Sequence, residues 1–299
     1  MKTLVVLLGP TGVGKTDLSI EIARYFDTSI ISCDSRQIYR EMRIGTAVPD
    51  REQLVAVPHF FIQTISVQDY YNSWQFEVEA LAKIRNLFEN RDVVLMTGGS
   101  MLYIDAVCKG IDDIPTIAPE LRAELMEIYE KQGLEPIRAM LKELDPVFYE
   151  EVDLNNGKRV LHAVEVCKMA GVPYSSLRTH TPKDRGFNIV RIGLNREREE
   201  LYDRIDRRVD QLLAEGLEEE ARSLYPLRHL NALNTVGYKE FFDYFDNQTD
   251  YDEAVRLIKR NSRRYARKQL SWFRRDSDIH WFHPDKKSEI LTFLQLHSL

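Results

Sequence analysis

The feature that most constrains the fold is an octapeptide at residues 9–16 that matches the phosphate-binding pattern G-x-x-x-x-G-K-[ST]. The apolar run at residues 3–8 predicts a buried strand before it, and apolar residues at helical spacing predict a helix over residues 17–25. Between a strand and a helix, such a loop turns backbone N–H groups toward an anion, and the helix N-terminus adds a positive potential. The predicted phosphate-binding loop, or P-loop, comprises Gly9, Pro10, Thr11, Gly12, Val13, Gly14, Lys15 and Thr16. Lys15 is expected to contact a terminal phosphate, and the Thr16 hydroxyl is expected to bind Mg²⁺.

Strands and helices alternate through the first third of the chain. Short apolar runs at residues 29–32 and 92–96 predict two further strands, and residues 66–89 are expected to be mostly helical. This alternation is typical of a parallel sheet with helices on both faces, in which ligands bind beyond the carboxyl ends of the strands. The P-loop, Asp34 and the segment Gly98-Gly99-Ser100 should therefore meet in one crevice.

The alternation stops after residue 111, where a mainly helical segment begins. Helices are predicted at residues 119–131, 135–144 and 158–170, and strand character returns at residues 188–194. Further helices are expected at residues 197–214, 217–224, 235–245 and 251–275, before a short strand at residues 280–282. The predicted fold class is α/β: a P-loop-type parallel sheet flanked by helices, with a helical insertion domain. Residues 1–111 and 187–299 are expected to form the P-loop catalytic core, and residues 112–186 the insertion domain.

Composition is typical of an intracellular globular protein. The 299 residues are 43% apolar and carry a formal net charge of −6. The three cysteines are far apart and form no C-x-x-C pair, so neither a disulfide framework nor a zinc site is expected. The apolar run at residues 4–8 is too short for a signal peptide, and no run is long enough to span a membrane. We therefore expect a cytoplasmic location, no membrane partner and a monomeric state.

A basic segment near the C-terminus departs from the acidic balance of the whole chain. Between residues 256 and 275 there are nine cationic residues and no Asp or Glu, with Tyr265, Trp272 and Phe273 interleaved. The cations are Arg256, Lys259, Arg260, Arg263, Arg264, Arg267, Lys268, Arg274 and Arg275. One interpretation is a contact surface for the phosphate backbone of a nucleic acid, whose affinity would fall with salt. The other is a solvated helix face whose aromatic residues turn toward the core.

Asp34 is the one carboxylate predicted at a strand end near the P-loop. P-loop kinases and NTPases usually carry an acidic residue after an apolar strand, but the strand at residues 92–96 is followed by Thr97-Gly98-Gly99. Asp34 could orient a metal in such an enzyme. It could instead act as a general base on an acceptor, in which case a bound pyrophosphate is the leaving group. A third possibility is that it caps the segment after Ser35. The pattern leaves these roles open.

Short islands of sequence, in constant order along the chain, resemble the tRNA dimethylallyltransferases. After the P-loop come Asp34-Ser35-Arg36-Gln37-Ile38-Tyr39-Arg40, Ile44-Gly45-Thr46-Ala47 with Pro49, and Gly98-Gly99-Ser100-Met101-Leu102-Tyr103. Arg159-Val160, Ala163-Val164-Glu165-Val166 and Gly171-Val172-Pro173 follow within the predicted insertion. The last islands are Val236-Gly237-Tyr238-Lys239-Glu240 and the run from Arg264 to Arg274. Because the islands extend from residue 9 to residue 274, the resemblance covers nearly the whole chain.

The resemblance implies transfer of a dimethylallyl group from dimethylallyl diphosphate to the N6 amine of the adenosine 3′ of the anticodon (position 37) in tRNA. It implies that Asp34 is the general base and that the P-loop, Mg²⁺ at Thr16 and an arginine hold the diphosphate. Arg204 and Arg208, four residues apart on one predicted helix face, are the candidates for that arginine, with Arg208 preferred. Pairing with neighbouring carboxylates is their alternative role.

The resemblance also implies that the anticodon stem-loop of tRNA is the partner. Contacts with tRNA are expected from Asp34, Ser35, Arg36, Gln37, Ser100, Lys158, Arg159, Val160, Leu161 and His162. Lys158 and His162 stand where the family commonly has glutamine and arginine, and Trp74 stands where it commonly has glycine. Two other functions are compatible with the motifs alone. One is a P-loop small-molecule kinase or NTPase, and the other is a non-catalytic nucleic-acid-binding protein that uses ATP as a structural ligand.

Overall fold

A six-stranded sheet forms the centre of the larger of two units in the computed structural model, which describes residues 2–179 and 181–298. The strands are β1 (Thr3–Leu8), β2 (Ile30–Ser32), β3 (His59–Phe60), β4 (Val93–Gly98), β5 (Asn188–Leu194) and β6 (Ile279–Phe282). Their order across the sheet is β3-β2-β4-β1-β5-β6, and every pair of neighbours is parallel. The α/β class predicted from the sequence is confirmed.

Helices connect and flank these strands. Those before β5 are α1 (Lys15–Tyr25), α2 (Arg51–Ala56), α3 (Ser73–Phe88), α4 (Met101–Lys109), α5 (Pro119–Gln132), α6 (Glu135–Leu144), α7 (Pro146–Glu151), α8 (Gly157–Ala170) and α9 (Tyr174–Leu177). Those after β5 are α10 (Arg198–Ala214), α11 (Leu217–Leu224), α12 (Tyr238–Phe245), α13 (Tyr251–Phe273) and α14 (Lys287–Ser298). Short 3₁₀ helices lie at Tyr225–Leu227 and Asn231–Leu233, between α11 and α12.

Strand β1 shows how the sheet is covered on both faces. All of its residues are buried, and successive side chains enter two different core clusters. Leu4, Val6 and Leu8 belong to the cluster that contains the apolar residues of α3 and α4. Val5 and Leu7 belong to the cluster that contains those of α1 and α10. A continuous apolar run without alternation is what a parallel strand needs when helices cover both sides.

Several elements differ from the predicted ones. The helix expected over residues 66–89 begins at Ser73, because the Asn72 side chain accepts the Gln75 N–H (2.9 Å) and Gln75 returns a bond to the Asn72 N–H (3.0 Å). Trp74 lies in the first turn of this helix and is about half exposed. The prediction omitted α2, β3, α4, α7, α9 and α14, which are two to twelve residues long.

The chain divides into residues 1–108 with 184–299, and residues 109–183. These boundaries lie three residues before those predicted for the core and the insertion domain. The smaller unit has its own apolar core, in which Leu141 and Val160 are fully buried. At its two ends, the Lys183 N–H donates to the Lys109 carbonyl at 2.7 Å. Within the described parts of the chain, no helix is long and apolar enough to cross a membrane.

Candidate active site

The loop at residues 9–16 lies between β1 and α1. Lys15 folds back over it and donates from Nζ to the carbonyls of Gly9 (2.9 Å) and Pro10 (2.8 Å). Gly12 has a φ of +79°, and a Cβ at this position would lie 2.8 Å from the Ile205 side chain, so both backbone and packing require glycine. The first N–H groups of α1 have no intrahelical acceptor, as at any helix N-terminus. The backbone here therefore has the form of an anion site.

A cavity of about 1500 Å³ lies beyond the carboxyl ends of the strands. Its wall includes Thr11, Gly12, Gly14, Lys15 and Thr16 of the loop, Asp34 to Gln37, and Thr97 to Gly99 at the end of β4. Gly9, Pro10 and Val13 are buried in the loop itself. Helices α10 and α13 supply further wall residues, including Arg208 and Tyr265. The three segments that were expected in one crevice therefore share one cavity.

Two cations in this wall are held in a partly desolvated environment. Burial, together with the nearby charge of Arg208, lowers the pKa of Lys15 to about 8, although the Asp34 carboxylate acts in the opposite direction. Burial likewise lowers the pKa of Arg208, and Asp34 and Glu215 offset part of that effect. The nearby carboxylates offset only part of the effect of burial on these two cations, so the cavity favours an anionic ligand.

The two candidate arginines on α10 make different contacts. Arg204 is exposed and donates from Nε to the Gly12 carbonyl at 3.0 Å. Arg208, one turn later, lies where its charge acts on both Lys15 and Asp34. A further arginine, Arg196, donates from Nε to the Val13 carbonyl at 3.0 Å. Arg204 and Arg196 therefore hold the loop backbone, which leaves Arg208 as the arginine whose guanidinium is grouped with Lys15 and Asp34.

Asp34 follows β2 and uses one carboxylate oxygen to form a turn. Its Oδ1 accepts the N–H groups of Arg36 (2.9 Å) and Gln37 (3.3 Å), and residues 35–38 form a turn, not a helix. No described residue donates a hydrogen bond to Oδ2. No helix directly follows Asp34, so it is not a helix N-cap; one of its oxygens forms the turn, while the other is available to a ligand in the cavity.

Three of the predicted tRNA-contact residues, Ser35, Gln37 and Ser100, use their side chains to hold the site together. The Ser100 hydroxyl, which is 8% exposed, accepts the Ser35 N–H (2.8 Å) and donates to the Ser35 hydroxyl (3.0 Å). Gln37 donates from Nε2 to the carbonyls of Thr46 (3.2 Å) and Ala47 (3.0 Å). Arg36 lines the cavity. These bonds fix the Asp34 turn against the end of β4 and against the loop at residues 46–47.

Glu220 on α11 is a structural residue of the site that the sequence interpretation missed. Its carboxylate accepts the N–H groups of Arg43 (2.9 Å), Ile44 (2.7 Å) and Gly45 (2.8 Å), and the Tyr238 hydroxyl donates to it at 2.6 Å. The Glu220 carboxylate thereby holds the segment that precedes the cavity wall at Gly45. A cluster of three glutamates at the start of α11 gave no sign that one of them turns inward.

Gln269 on α13 was also missed. It is 2% exposed, accepts the Thr11 N–H at Oε1 (2.9 Å) and donates from Nε2 to the Gly99 carbonyl (2.9 Å). It lies inside the basic island at residues 264–274, where its neighbours drew attention to charge. The role of its amide is seen only from its partners Thr11 and Gly99, which are distant in the sequence.

The basic segment on α13 is less uniform than its sequence indicates. Carboxylates on α10 and at the start of α13 neutralise part of it: Arg256 pairs with Glu253, Lys259 with Asp210, and Arg263 with Asp206. The cations that line the cavity are Arg264, Arg267, Lys268 and Arg275. Fewer of the nine cations are therefore available to contact a polyanion than the sequence indicated.

In the smaller unit, the predicted contact segment begins α8. Lys158, Arg159 and His162 are exposed, whereas Val160 and Leu161 are buried in the apolar core of that unit. The helical period turns the Val160 and Leu161 side chains inward, and the contact of all five positions with tRNA stays a prediction. Burial tends to raise the pKa of Glu165, but hydrogen bonds from His162 and Arg122 outweigh it and hold that pKa below its usual range.

Thr16, the predicted metal ligand, stands in the first turn of α1 and lines the cavity. Among residues 2–179 and 181–298, no group of three or more His, Cys, Asp or Glu side chains could hold a metal ion. Mg²⁺ commonly binds through one or two protein oxygens together with substrate phosphates and waters. The Thr16 hydroxyl fits that mode, in which the ligand's own phosphates supply further oxygens.

The fold and the cavity define a class of protein: an α/β protein in which a loop with the phosphate-binding sequence pattern, a carboxylate at a nearby strand end and a basic helix line one cavity. The family model for IPP transferase matches residues 37–276, and the chain belongs to this family. The chain is 58% identical over 294 residues, 98% of each sequence, to a Bacteroides fragilis protein named tRNA dimethylallyltransferase 1. The resemblance seen in the sequence islands is confirmed.

Solved structures agree with this assignment. A full-length tRNA isopentenylpyrophosphate transferase from Bacillus halodurans is 35% identical, with a TM-score of 0.73 over 100% of this chain and 97% of that one. A eukaryotic dimethylallyltransferase acting on tRNA has a TM-score of 0.82 over 98% of this chain and 78% of its own. At 24% identity, that second likeness supports the fold alone.

Proposed function

We propose that this protein transfers the dimethylallyl group of dimethylallyl diphosphate to the N6 amine of the adenosine 3′ of the anticodon in tRNA, releasing diphosphate. The observation that carries the proposal is the grouping of Lys15, Arg208 and Asp34 in one cavity at the strand ends. Two cations suit a departing diphosphate, and a carboxylate suits an amine that must lose a proton. Membership of the IPP transferase family supports the same reaction.

In the proposed reaction, the amine nitrogen attacks the allylic carbon as the bond from that carbon to the diphosphate oxygen breaks. The Oδ2 atom of Asp34 takes the proton from the nitrogen, because Oδ1 is already engaged by the turn at residues 35–38. Negative charge grows on the departing diphosphate, where the N–H groups at the start of α1, Lys15 and Arg208 stabilise it. When bound at Thr16 and the phosphates, Mg²⁺ would supply further charge stabilisation to the leaving group.

The acceptor base must leave its stack to enter the cavity, as for other enzymes that act on a base. We propose that Arg264, Arg267 and Lys268 of α13 bind phosphates near that base, since they line the same cavity as Asp34. In the smaller unit, Lys158, Arg159 and His162 are exposed at the start of α8 and suit contacts with the anticodon stem-loop. Phosphate contacts of this kind position RNA without reading its sequence.

The test is label transfer from radioactive dimethylallyl diphosphate to unmodified tRNA in the presence of Mg²⁺. We expect labelled adenosine with wild-type protein and a fall in kcat of about 10²- to 10⁴-fold for Asp34→Asn. The substituted amide keeps an oxygen for the N–H groups of Arg36 and Gln37, so the turn should persist while the proton acceptor is lost. Binding of tRNA should change little.

Asp69→Asn is the matched control for this substitution. Asp69 is also a turn-forming carboxylate, since its Oδ2 accepts the Ser66 N–H at 2.8 Å, but it is exposed and lies outside the cavity wall. Its kcat should stay within about twofold of the wild type, as for most surface changes. ATP turnover without transfer to tRNA would favour a P-loop kinase or NTPase, and undiminished transfer by Asp34→Asn would remove Asp34 from the role of base.

A further inference from the structure

We propose that Gln269 is a positioning residue that fixes the spacing between the P-loop and the Asp34 turn, and thereby the distance between leaving group and base. The inference rests on the proposed transfer reaction. It concerns the alignment of two half-sites, the P-loop and the Asp34 turn at residues 34–38. It assigns Gln269 no contact with either substrate.

Gln269 spans a gap between two loops that leave neighbouring strands. Strands β1 and β4 pair up to Leu8 and Gly98, after which the chain diverges into the P-loop on one side and α4 on the other. The Gln269 amide closes this gap, with Oε1 2.9 Å from the Thr11 nitrogen and Nε2 2.9 Å from the Gly99 oxygen. Because the side chain is 2% exposed, water cannot readily replace either bond.

The packing around Gly99 is shaped to the same amide. A Cβ added at Gly99 would lie 2.3 Å from Gln269 Nε2, closer than any real contact. Glycine at this position therefore allows the amide to sit between the two backbones. The two hydrogen bonds of the Gln269 amide, called the bridge below, thus require both an amide at position 269 and a glycine at position 99.

From Gly99 the bridge continues to the carboxylate. The next residue, Ser100, binds the Ser35 N–H at 2.8 Å and the Ser35 hydroxyl at 3.0 Å. Ser35 is adjacent to Asp34, whose Oδ1 in turn holds the N–H of Arg36 at 2.9 Å. Hydrogen bonds and covalently adjacent residues therefore connect the P-loop, through Gln269, to Asp34, the proposed base.

The expected consequence is loss of alignment with little loss of binding. Each half-site keeps its own contacts when the bridge is broken, since Lys15 still bonds to the loop and Oδ1 still bonds to its turn. A misplacement of about 1 Å between reacting groups can lower a rate about 10²-fold. Breaking the bridge should therefore lower kcat and leave both KM values nearly unchanged.

The experiment compares Gln269→Met with the wild type in the transfer assay, because methionine has similar length and no amide. We expect kcat to fall about 10- to 100-fold, with KM for dimethylallyl diphosphate and for tRNA within about threefold. Gly99→Ala should displace the Gln269 amide, because the added Cβ would collide with Nε2. It should likewise lower kcat and leave both KM values nearly unchanged. Pyrophosphate binding within about threefold of the wild type shows that the loop is folded in each variant.

A double-mutant cycle with Ser100→Ala tests whether the path acts as a unit. If Gln269 and Ser100 act through one path, the double variant loses less than the product of the two single losses. Gln248→Met, an exposed glutamine before α13, is the control and should keep wild-type kcat. The inference is overturned if both Gln269→Met and Gly99→Ala keep kcat within twofold, or if their whole effect is on KM. Failure of wild-type transfer would instead overturn the proposed function.

Discussion

At the residue scale, the cavity holds positive charge that the fold leaves uncompensated. Lys15 and Arg208 are both driven toward their neutral forms by burial, and Asp34 only partly opposes this. Groups tuned in this way are common at functional sites, where a ligand completes the electrostatic balance. Such sites lower the stability of the free protein.

Lys15→Met should therefore stabilise the protein while abolishing its activity. The pKa of Lys15 is about 8 in the folded chain and near 10.5 when unfolded, so the folded state binds this proton less tightly. The penalty is fully present below pH 8 and disappears as pH rises toward 10.5. Removing the charge should raise the free energy of unfolding at pH 7 by at most about 3 kcal/mol, reduced by the loss of the two bonds from Nζ, with a smaller gain at pH 10.

Denaturant unfolding at several pH values measures this difference. Lys286→Met is the matched control, because Lys286 is exposed and its one ion pair among the described residues is with Glu289, three residues away. Its effect should stay within about 0.5 kcal/mol at every pH. A loss of stability in Lys15→Met at pH 7 would show that the bonds of Lys15 to the Gly9 and Pro10 carbonyls outweigh the burial of its charge.

At the scale of the element, α13 combines three roles on one helix. Ala254, Ile258, Ala266 and Phe273 are buried, several cations are paired with carboxylates, and others line the cavity. The sequence predicted a helix over residues 251–275, and the observed helix covers Tyr251–Phe273. It could not predict the ion pairs with Asp206 and Asp210, because these partners lie on α10, about fifty residues earlier.

Combined substitution of Arg264 and Lys268 by alanine should weaken tRNA binding and reduce its salt dependence. Each phosphate contact that is lost lowers the slope of log K against log salt by about 0.7 to 0.9, so the slope should fall by about 1.5. Filter binding of tRNA between about 50 and 200 mM salt measures this slope. Arg256→Ala, which removes a cation already paired with Glu253, should leave the slope unchanged. Equal slopes in both variants would place the RNA contacts elsewhere.

At the scale of the whole molecule, local patterns predicted five of the six strands of the described sheet and most of the longer helices, but not the contacts that join them. The apolar run of β1 and the P-loop motif are local signals, and both lie where predicted. The roles of Glu220 and Gln269 depend on partners about 170 to 260 residues away, which no short pattern encodes. The same holds for Val160 and Leu161, whose burial follows from the core of the smaller unit.

Because the smaller unit has its own apolar core, a core substitution there should destabilise that unit and not the larger one. Leu141 is fully buried in the core of residues 109–183, so Leu141→Ala should destabilise that unit by about 2 to 5 kcal/mol. Pyrophosphate binding, which uses the other unit, should persist while tRNA affinity falls. Calorimetric titration with pyrophosphate and filter binding with tRNA measure the two. Leu296→Ala, at an exposed leucine, is the control, and parallel loss of both ligands in Leu141→Ala would contradict independent units.

The bond between Lys183 and Lys109 has a consequence for how such a protein can diversify. A segment whose first and last residues are neighbours can be lengthened, shortened or exchanged without moving the strands on either side of it. Replacing residues 109–183 could then change the choice of RNA, while the proposed catalytic residues of the larger unit remain in place. A chimaera joined at residues 109 and 183 is the natural starting point for redirecting this enzyme to a different RNA hairpin.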